Sequence, residues 1–508
     1  MTSPATPDDL RGAAADAGDL PEQLRVRRAK RAALLERGQS PYPVTVPRTH
    51  SIRDVRTRFD DDALEPGAAT GEVVSLTGRV IFLRDTGKLC FLRLREGDGT
   101  EIQAMLSAAE LGPDSLADVK AFVDLGDLLS VTGEVVRSLR GELSVQASRW
   151  ELAAKALRPL PNEHRPLSDE ARVRLRYLDM VVRPEPREMV RAKAAVLKSL
   201  RATLDAHGFL EVETPVLQLT NGGAAARPFP THLNAFDQDM LLRIALELDL
   251  KRAVVGGVEQ VYEIGKTFRN EGIDSTHSAE FMMLEIYQAY GDYNTMAALT
   301  RELVLAAAGA VGRTSVPGRD GSTIDLTAPW RRATLLGLVS AAVGTDLCPD
   351  TDLATLRRLA ESHGVTLRGD WGTGEVVLEL YEKLVEHTLI TPTFVCDFPV
   401  SVRPLAKPHR TDPRLVEAWD LVINGVELAP AHSELNDPVV QRERLEAQAR
   451  LGAAGDAEAM DLDEDFLRAM EYGMPPMGGM GMGVDRLVML LMGTGIREAI
   501  LFPLLRRQ

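Results

Sequence analysis

The densest chemistry in this 508-residue chain lies in YEIGKTFRNEGIDSTHSAEFMMLEIYQAYGDY, residues 262–293. Alternating runs flank a polar loop from Arg269 to His277, a strand–loop–strand pattern. Arg269 and Glu271 stand two residues apart at a strand end, and arginine offers a planar fork of donors for a phosphate or a carboxylate. His277 and Phe281 follow, a cation and a ring able to sandwich a base, and Glu285 and Tyr287 share one strand face by period two. On composition alone the loop is equally a surface hairpin with an Arg–Glu pair. A second block, GMGMGVDRLVMLL (479–491), reads as a Gly-rich turn opening an apolar helix. Gly479, Gly481 and Gly483 would let the backbone approach a ligand, and Arg486 at the helix start suits a nucleotide phosphate, although such a turn can also serve packing alone. In a third block, WDLVINGVELAPAHSELNDP (419–438), Asp420, Glu427 and Glu434 recur every seven residues on a strand–turn–strand pattern. Three converging carboxylates repel unless a cation joins them, and hard oxygen ligands suit Mg²⁺ carrying substrate phosphates; exposed acidic residues are the plainer reading.

Elements must hold these residues. A hydrophobic content of 44% and a charged content of 26% are ordinary for a globular protein and argue against disorder, collagen or a coiled coil. The net charge of −15 counts against nucleic-acid binding through bulk charge, but says nothing of local patches. Cys90, Cys348 and Cys396 have no disulfide or zinc spacing and read as reduced cytosolic thiols. The polar start is unlike a signal peptide, and no apolar run reaches the ~18 residues of a membrane helix, so a cytoplasmic protein without a membrane part is expected. The first twenty residues read as disordered. Leu20–Gly38 reads as a helix carrying Arg25, Arg27, Arg28, Lys30, Arg31 and Arg37, either a solvated face or one turned to RNA. From 72 to about 150, five β-rich runs broken by glycine suggest an OB-type barrel. RPLPNEHRPLSDE then marks a linker, a helical stretch covers 185–207, and strands alternate with long loops up to about 290. The fold class is α+β, a small β-barrel ahead of an α+β body, divided as 1–68 (disordered start and basic helical extension), 69–155 (barrel), 156–175 (linker) and 176–508 (body).

Taken in order, an arginine loop, carboxylates and a second arginine at a helix start resemble the layout of class II aminoacyl-tRNA synthetases. FRNEGI with His277 and EF is similar to that class's second motif, GMGVDR to its third, and GFLEVETPVL (208–217) to its first, which implies Pro215 at the interface of a homodimer. Within the class, TNGGAAARPF (220–229), PLAK (404–407), SELNDP (433–438) and REAILFP (497–503) resemble the lysyl-tRNA synthetase family, over nearly the whole chain. The resemblance implies an anticodon-binding OB domain ahead of an antiparallel-sheet catalytic domain, with ATP, Mg²⁺, L-lysine and tRNA(Lys) as partners. It implies that Arg269 holds the α-phosphate and the lysine carboxylate, that Glu271, His277, Phe281, Glu427 and Gly483 bind ATP, and that Arg486 contacts the γ-phosphate. Arg269, Arg486 and Glu271 would then carry catalysis. Asp420, where Glu is usual, and Glu427 match the Mg²⁺ ligands; Gly223, Glu247, Glu285, Tyr287 and Glu434 match the pocket around lysine. Arg84, Phe91 and Gln103 match positions that read the central anticodon base, although Phe91 could equally be core.

Three departures stand out: ALEL (245–248) for the usual APEL, HSAEF (277–281) for HNPEF, and ELAPAHSEL (427–435) for EIANAYSEL. Pro430 replaces an Asn that contacts the amino acid, and His432 replaces an aromatic. Proline lacks a donor, so one polar contact to substrate is lost. The expected activity is ATP-dependent lysine activation and transfer to tRNA(Lys). The alternative is a paralogue with an altered pocket, supplying lysyl-tRNA or an activated lysine analogue to lipid modification or specialised biosynthesis.

Overall fold

A computed structural model describes residues 21–59, 64–161 and 166–506; the expected disordered start, residues 1–20, lies outside them. The chain divides into two units, residues 1–187 and 188–508.

In the first unit, α1 (Glu22–Glu36) and α2 (Ile52–Arg58) precede five strands, β1 (Ala69–Asp85), β2 (Leu89–Arg95), β3 (Glu101–Ser107), β4 (Leu128–Arg137) and β5 (Leu143–Ala154). They close in the order β1-β2-β3-β5-β4, the expected five-stranded barrel. Two helices missed by the β-pattern reading, α3 (Ala108–Leu111) and α4 (Pro113–Phe122), fill the gap between β3 and β4; α4 seats Leu116, Val119 and Phe122 in the barrel core. Alternation sets the faces: Cys90, Leu92 and Leu94 point into the core, so Phe91 points out. The basic helix divides its charges. Arg27 is buried, donating to the Leu125 and Ala156 carbonyls, Lys30 pairs with Asp124 and Arg37 with Asp118, whereas Arg25 and Arg28 are exposed. The expected linker is partly helical, with α5 (Asp169–Arg174) inside it and α6 (Arg176–Val182) just after it. Ser168 caps α5 by accepting from the Ala171 N–H.

In the second unit, α7 (Glu185–Ala206) leads into β6 (Leu210–Glu211), and a small three-stranded sheet follows from β7 (Leu217–Gln218), β8 (Phe229–Leu233) and β9 (Gln238–Leu242). Then come α8 (Glu247–Val255), β10 (Gln260–Phe268), β11 (Glu280–Ala289), α9 (Tyr293–Ala310), a hairpin of β12 (Ser315–Pro317) and β13 (Thr323–Asp325), and β14 (Arg331–Thr334). The remaining strands are β15 (Thr393–Pro399), β16 (Leu415–Ile423), β17 (Val426–Ser433) and β18 (Met477–Gly483). The main sheet runs β14-β15-β16-β17-β18-β11-β10-β6, antiparallel except at its two edges. Its rear face packs on α7 (Val196, Leu200, Leu204), α9 (Leu303, Val304) and the helix Val484–Met492 (Leu487, Val488, Leu491), which leaves the other face free to build a site.

The Gly-rich run is not the expected turn. It is β18, inside the sheet, and its last residue, Gly483, also caps the helix behind it. A Cβ on Gly479 would stand 1.9 Å from Glu434 Oε1 and 2.5 Å from Tyr287 Cε1, so this glycine makes room for two neighbouring side chains.

Candidate active site

One cavity of about 620 Å³, the size of a small-molecule site, opens on the free face of the main sheet. β11 supplies a row by period two: Phe281, Met283, Glu285 and Tyr287 line the cavity, while Leu284 and Ile286 are buried behind. β17 supplies Glu427, Pro430 and His432, and Glu434 follows directly after it. A regular strand would send Glu427 and Glu434 to opposite faces. The register instead slips, pairing Leu421 with Ala429 but Val422 with Glu427, so a bulge at Leu428 brings both onto one face.

At the first end of the cavity, Arg269 follows β10, with its guanidinium 5.3 Å from the Phe281 ring centre and Nε donating to the Ile244 carbonyl (3.4 Å). Burial pulls its pKa down, with Glu271 opposing, and it makes no ion pair among the described residues. Such an arginine lacks an anion. Glu271 is exposed and accepts from the Arg227 N–H (3.1 Å). His277 and Phe281 both line the cavity, and the cation over the Phe281 ring is Arg269. The His277 Nε2 lies 3.2 Å from the Arg486 guanidinium, and its Nδ1 lies 2.8 Å from Asp274, so the ring is fixed between the two. Arg486, in the first turn of the helix capped by Gly483, also donates to the Glu427 carbonyl (2.8 Å), with the Glu427 carboxylate 3.9 Å away.

At the other end, Glu285 accepts from the Leu246 N–H (2.9 Å) and the Tyr287 hydroxyl (3.1 Å). Burial, with Glu247 nearby, pushes its carboxyl up to about 7, and Tyr287 is raised too. Glu247 and Glu434 are both buried, and Gly223 packs beside Glu247 with a positive φ of 84°. Sequence reasoning missed Lys251 entirely. This fully buried lysine, one turn beyond Glu247 in α8, holds its ammonium 2.5 Å from Glu247 and also paired to Glu434. His432 Nδ1 lies 3.1 Å from Glu434. A Glu-x-x-x-Lys spacing is the commonest surface pair on a helix, so nothing in the sequence marked it as internal.

The three carboxylates of the 419–438 block do not converge on one point. Glu434 belongs with Lys251, whereas Asp420 accepts from Arg403 and pairs in register with Pro430. Burial raises the Asp420 carboxyl above the usual range, against the pull of Arg403, with Glu427 and Glu386 adding to the rise. Its Oδ1 is buried without a hydrogen bond. A buried carboxylate oxygen without a partner, near two further carboxylates, fits a divalent cation.

On the barrel, Arg84 lies opposite Phe91 across β1 and β2, with its guanidinium 5.9 Å from the ring centre. Gln103 pairs with Arg93 on the same outer face and donates to Ser144 Oγ (2.9 Å). Phe82, which the sequence reading passed over, is an exposed ring on this face beside Arg93.

With this geometry in hand, comparison defines the class. Residues 168–506 match the family "tRNA synthetases class II (D, K and N)", and residues 74–153 match the "OB-fold nucleic acid binding domain". The chain is 53% identical to a lysine–tRNA ligase of Mycolicibacterium gilvum over 100% of this chain and 99% of that protein, and 54% identical to one of Kineococcus radiotolerans over 96% and 98%. It is also 50% identical to a lysylphosphatidylglycerol biosynthesis bifunctional protein of Mycolicibacterium vanbaalenii, over 99% of this chain but 46% of that protein. The chain belongs to the lysine–tRNA ligase family of class II synthetases. Among the described residues no helix is long and apolar enough to cross a membrane.

Proposed function

We propose that this protein activates L-lysine with ATP to lysyl-adenylate and passes the lysyl group to tRNA(Lys) in the cytoplasm. The observation that carries this reading is the polarity of one cavity, with unpaired arginine at one end and buried carboxylates at the other. A desolvated ammonium needs such carboxylates, since burial without them forbids binding. Arg269 holds the α-phosphate and the lysine carboxylate, Phe281 stacks on adenine, Glu271, His277 and Gly483 line the nucleotide, and Arg486 takes the γ-phosphate. Gly223, Glu247, Glu285, Tyr287 and Glu434 surround lysine, and Pro430 borders it. A lysine carboxylate oxygen attacks the α-phosphorus in line, the bond to the bridging oxygen breaks, and pyrophosphate leaves while the arginines stabilise the developing charge. Asp420 and Glu427 would hold Mg²⁺, which neutralises phosphate charge. A ribose hydroxyl of the tRNA's terminal adenosine then attacks the lysyl carbonyl and AMP leaves.

Arg84, Phe91 and Gln103 read an unpaired anticodon base by stacking and hydrogen bonding. A homodimer is supported by the exposed apolar side chains Leu210, Val216, Leu217 and Leu219 around Pro215. Lysine-dependent ATP–pyrophosphate exchange, measured across a panel of amino acids, tests the reading; no exchange with lysine sinks it. Phe91→Ala should leave that exchange unchanged but lower kcat/KM for tRNA charging by on the order of tenfold.

A second reading rests on Pro430 and His432, which both line the amino acid end. In it the protein is a paralogue that supplies lysyl-tRNA, or an activated lysine analogue, to a non-translational pathway. An analogue preferred over lysine in the same panel would favour it.

A further inference from the structure

Lys251 lies outside every motif described above, yet its ammonium sits where the pocket is most acidic. It bridges Glu247 on α8 and Glu434 just after β17, and lies 5.9 Å from the Tyr287 ring centre. The groups facing it are Glu247 from its own helix, His432 from β17 and Glu434 just after it, and Glu285 and Tyr287 from β11; β18 contributes Gly479, which has no side chain. Glu247, His432 and Glu434 each place an atom within 4.8 Å of the others, a spacing that suits a captured cation, and the Lys251 ammonium is paired to two of the three, Glu247 and Glu434.

We infer that Lys251 is a built-in counter-ion that sets the charge of the Glu247–Glu434 pair, so that this pair accepts one further ammonium. This deepens the lysine reading above and rests on it. Two ionised carboxylates this close repel, and without a cation between them one takes up a proton. Burial pushes the Glu247 carboxyl up and Lys251 pulls it back, whereas Glu434, despite its burial, is held below the usual range by His432 and Lys251; with both ionised, the Glu247–Lys251–Glu434 group carries one net negative charge. An incoming side-chain ammonium cancels it; an uncharged side chain of similar length leaves it buried and unbalanced. Burial opposes the Lys251 charge, but Glu247 and Glu434 outweigh it and hold the pKa above the ordinary lysine value. Lys251 acts through the carboxylates and is a positioning residue.

The test is pyrophosphate exchange by full-length Lys251→Met as a function of lysine concentration, from about pH 7.5 to 9. The lysine KM should rise on the order of a hundredfold near neutrality, with kcat at saturating lysine little changed. The KM should then fall as pH rises, because the proton held by the carboxylate pair leaves; the wild type should stay flat over this range. Lys251→Met/Glu247→Gln restores the single negative charge, and should recover roughly tenfold of the lost affinity and lose the pH dependence. A Lys251→Met KM within ~3-fold of wild type overturns the inference, as does a raised KM that the second substitution does not relieve. Should Lys251→Met fail to fold, the double variant decides. Folded protein with measurable exchange supports the counter-ion, and a second failure to fold makes Lys251 a purely structural residue. Absence of lysine-dependent exchange in the wild type would instead overturn the functional reading, so the two failures are distinct.

Discussion

The two ends of the cavity solve opposite electrostatic problems. At the phosphate end, Arg269 is half-buried without an anion, and Arg486 spends its donors on a backbone carbonyl and an imidazole. At the amino acid end, Glu247 and Glu434 already share a cation, and Glu285 accepts two hydrogen bonds. The first end is short of its counter-charge until a nucleotide supplies it. The second is assembled beforehand and admits a ligand only by matching a fixed charge count. The difference teaches where binding energy is held in reserve: phosphates relieve the arginines, whereas lysine completes an arrangement that already exists.

The contrast can be broken at either end. Arg269→Ala removes the phosphate end's main cation and should lower ATP–pyrophosphate exchange on the order of a thousandfold or more, mostly in kcat; exchange near wild type would sink that assignment. Gly479→Ala attacks the other end by volume alone. Its methyl group would collide with Glu434 and Tyr287, and overpacking of about 1–3 kcal/mol raises the lysine KM ~10- to 100-fold while the KM for ATP holds. Equal changes in both constants would show that the ends are not independent.

A subtler probe is pH. With the Glu285 carboxyl near 7 in the free protein, the group is protonated below that pH and its charge is lost to the ligand. The lysine KM should therefore rise by up to ~10-fold per unit as pH falls below about 7, and Glu285→Gln should flatten the profile at a uniformly higher KM. A wild-type profile flat through this range would count against the raised carboxyl. The smallest effect is expected from Pro430→Asn, which returns a side-chain donor to the cavity wall. One hydrogen bond of about 1 kcal/mol should lower the lysine KM ~5-fold. An unchanged or weaker affinity would show that the pocket has been rebuilt another way.

Much of this was legible in the residues, for definite reasons. Period-two runs and glycines announced the barrel, and the arginines and carboxylates of the cavity stood in recognisable blocks. What escaped was set by tertiary context. Helices α3 and α4 hid between β runs because short helices carry weak periodicity. GMGMG looked like a turn because glycine usually marks one, yet here it clears space inside a sheet. Phe91 could not be assigned to core or surface until its register against Cys90 and Leu92 was known. Lys251 escaped because an internal ion pair and a solvated one share the same spacing.

The bulge at Leu428 has a consequence for how this protein can vary. A strand alternates like odd and even numbers, and one additional residue converts odd to even for everything after it. A single strand therefore serves both ligands, with Glu427 counted in one parity and Pro430, His432 and Glu434 in the other. Deleting one residue between Pro430 and Glu434, with the bulge retained, would rotate Glu434 into the apolar rear of the sheet and bring Ser433 forward, with every local propensity intact. Substitution along this stretch is a graded change, whereas a change of length is all or none.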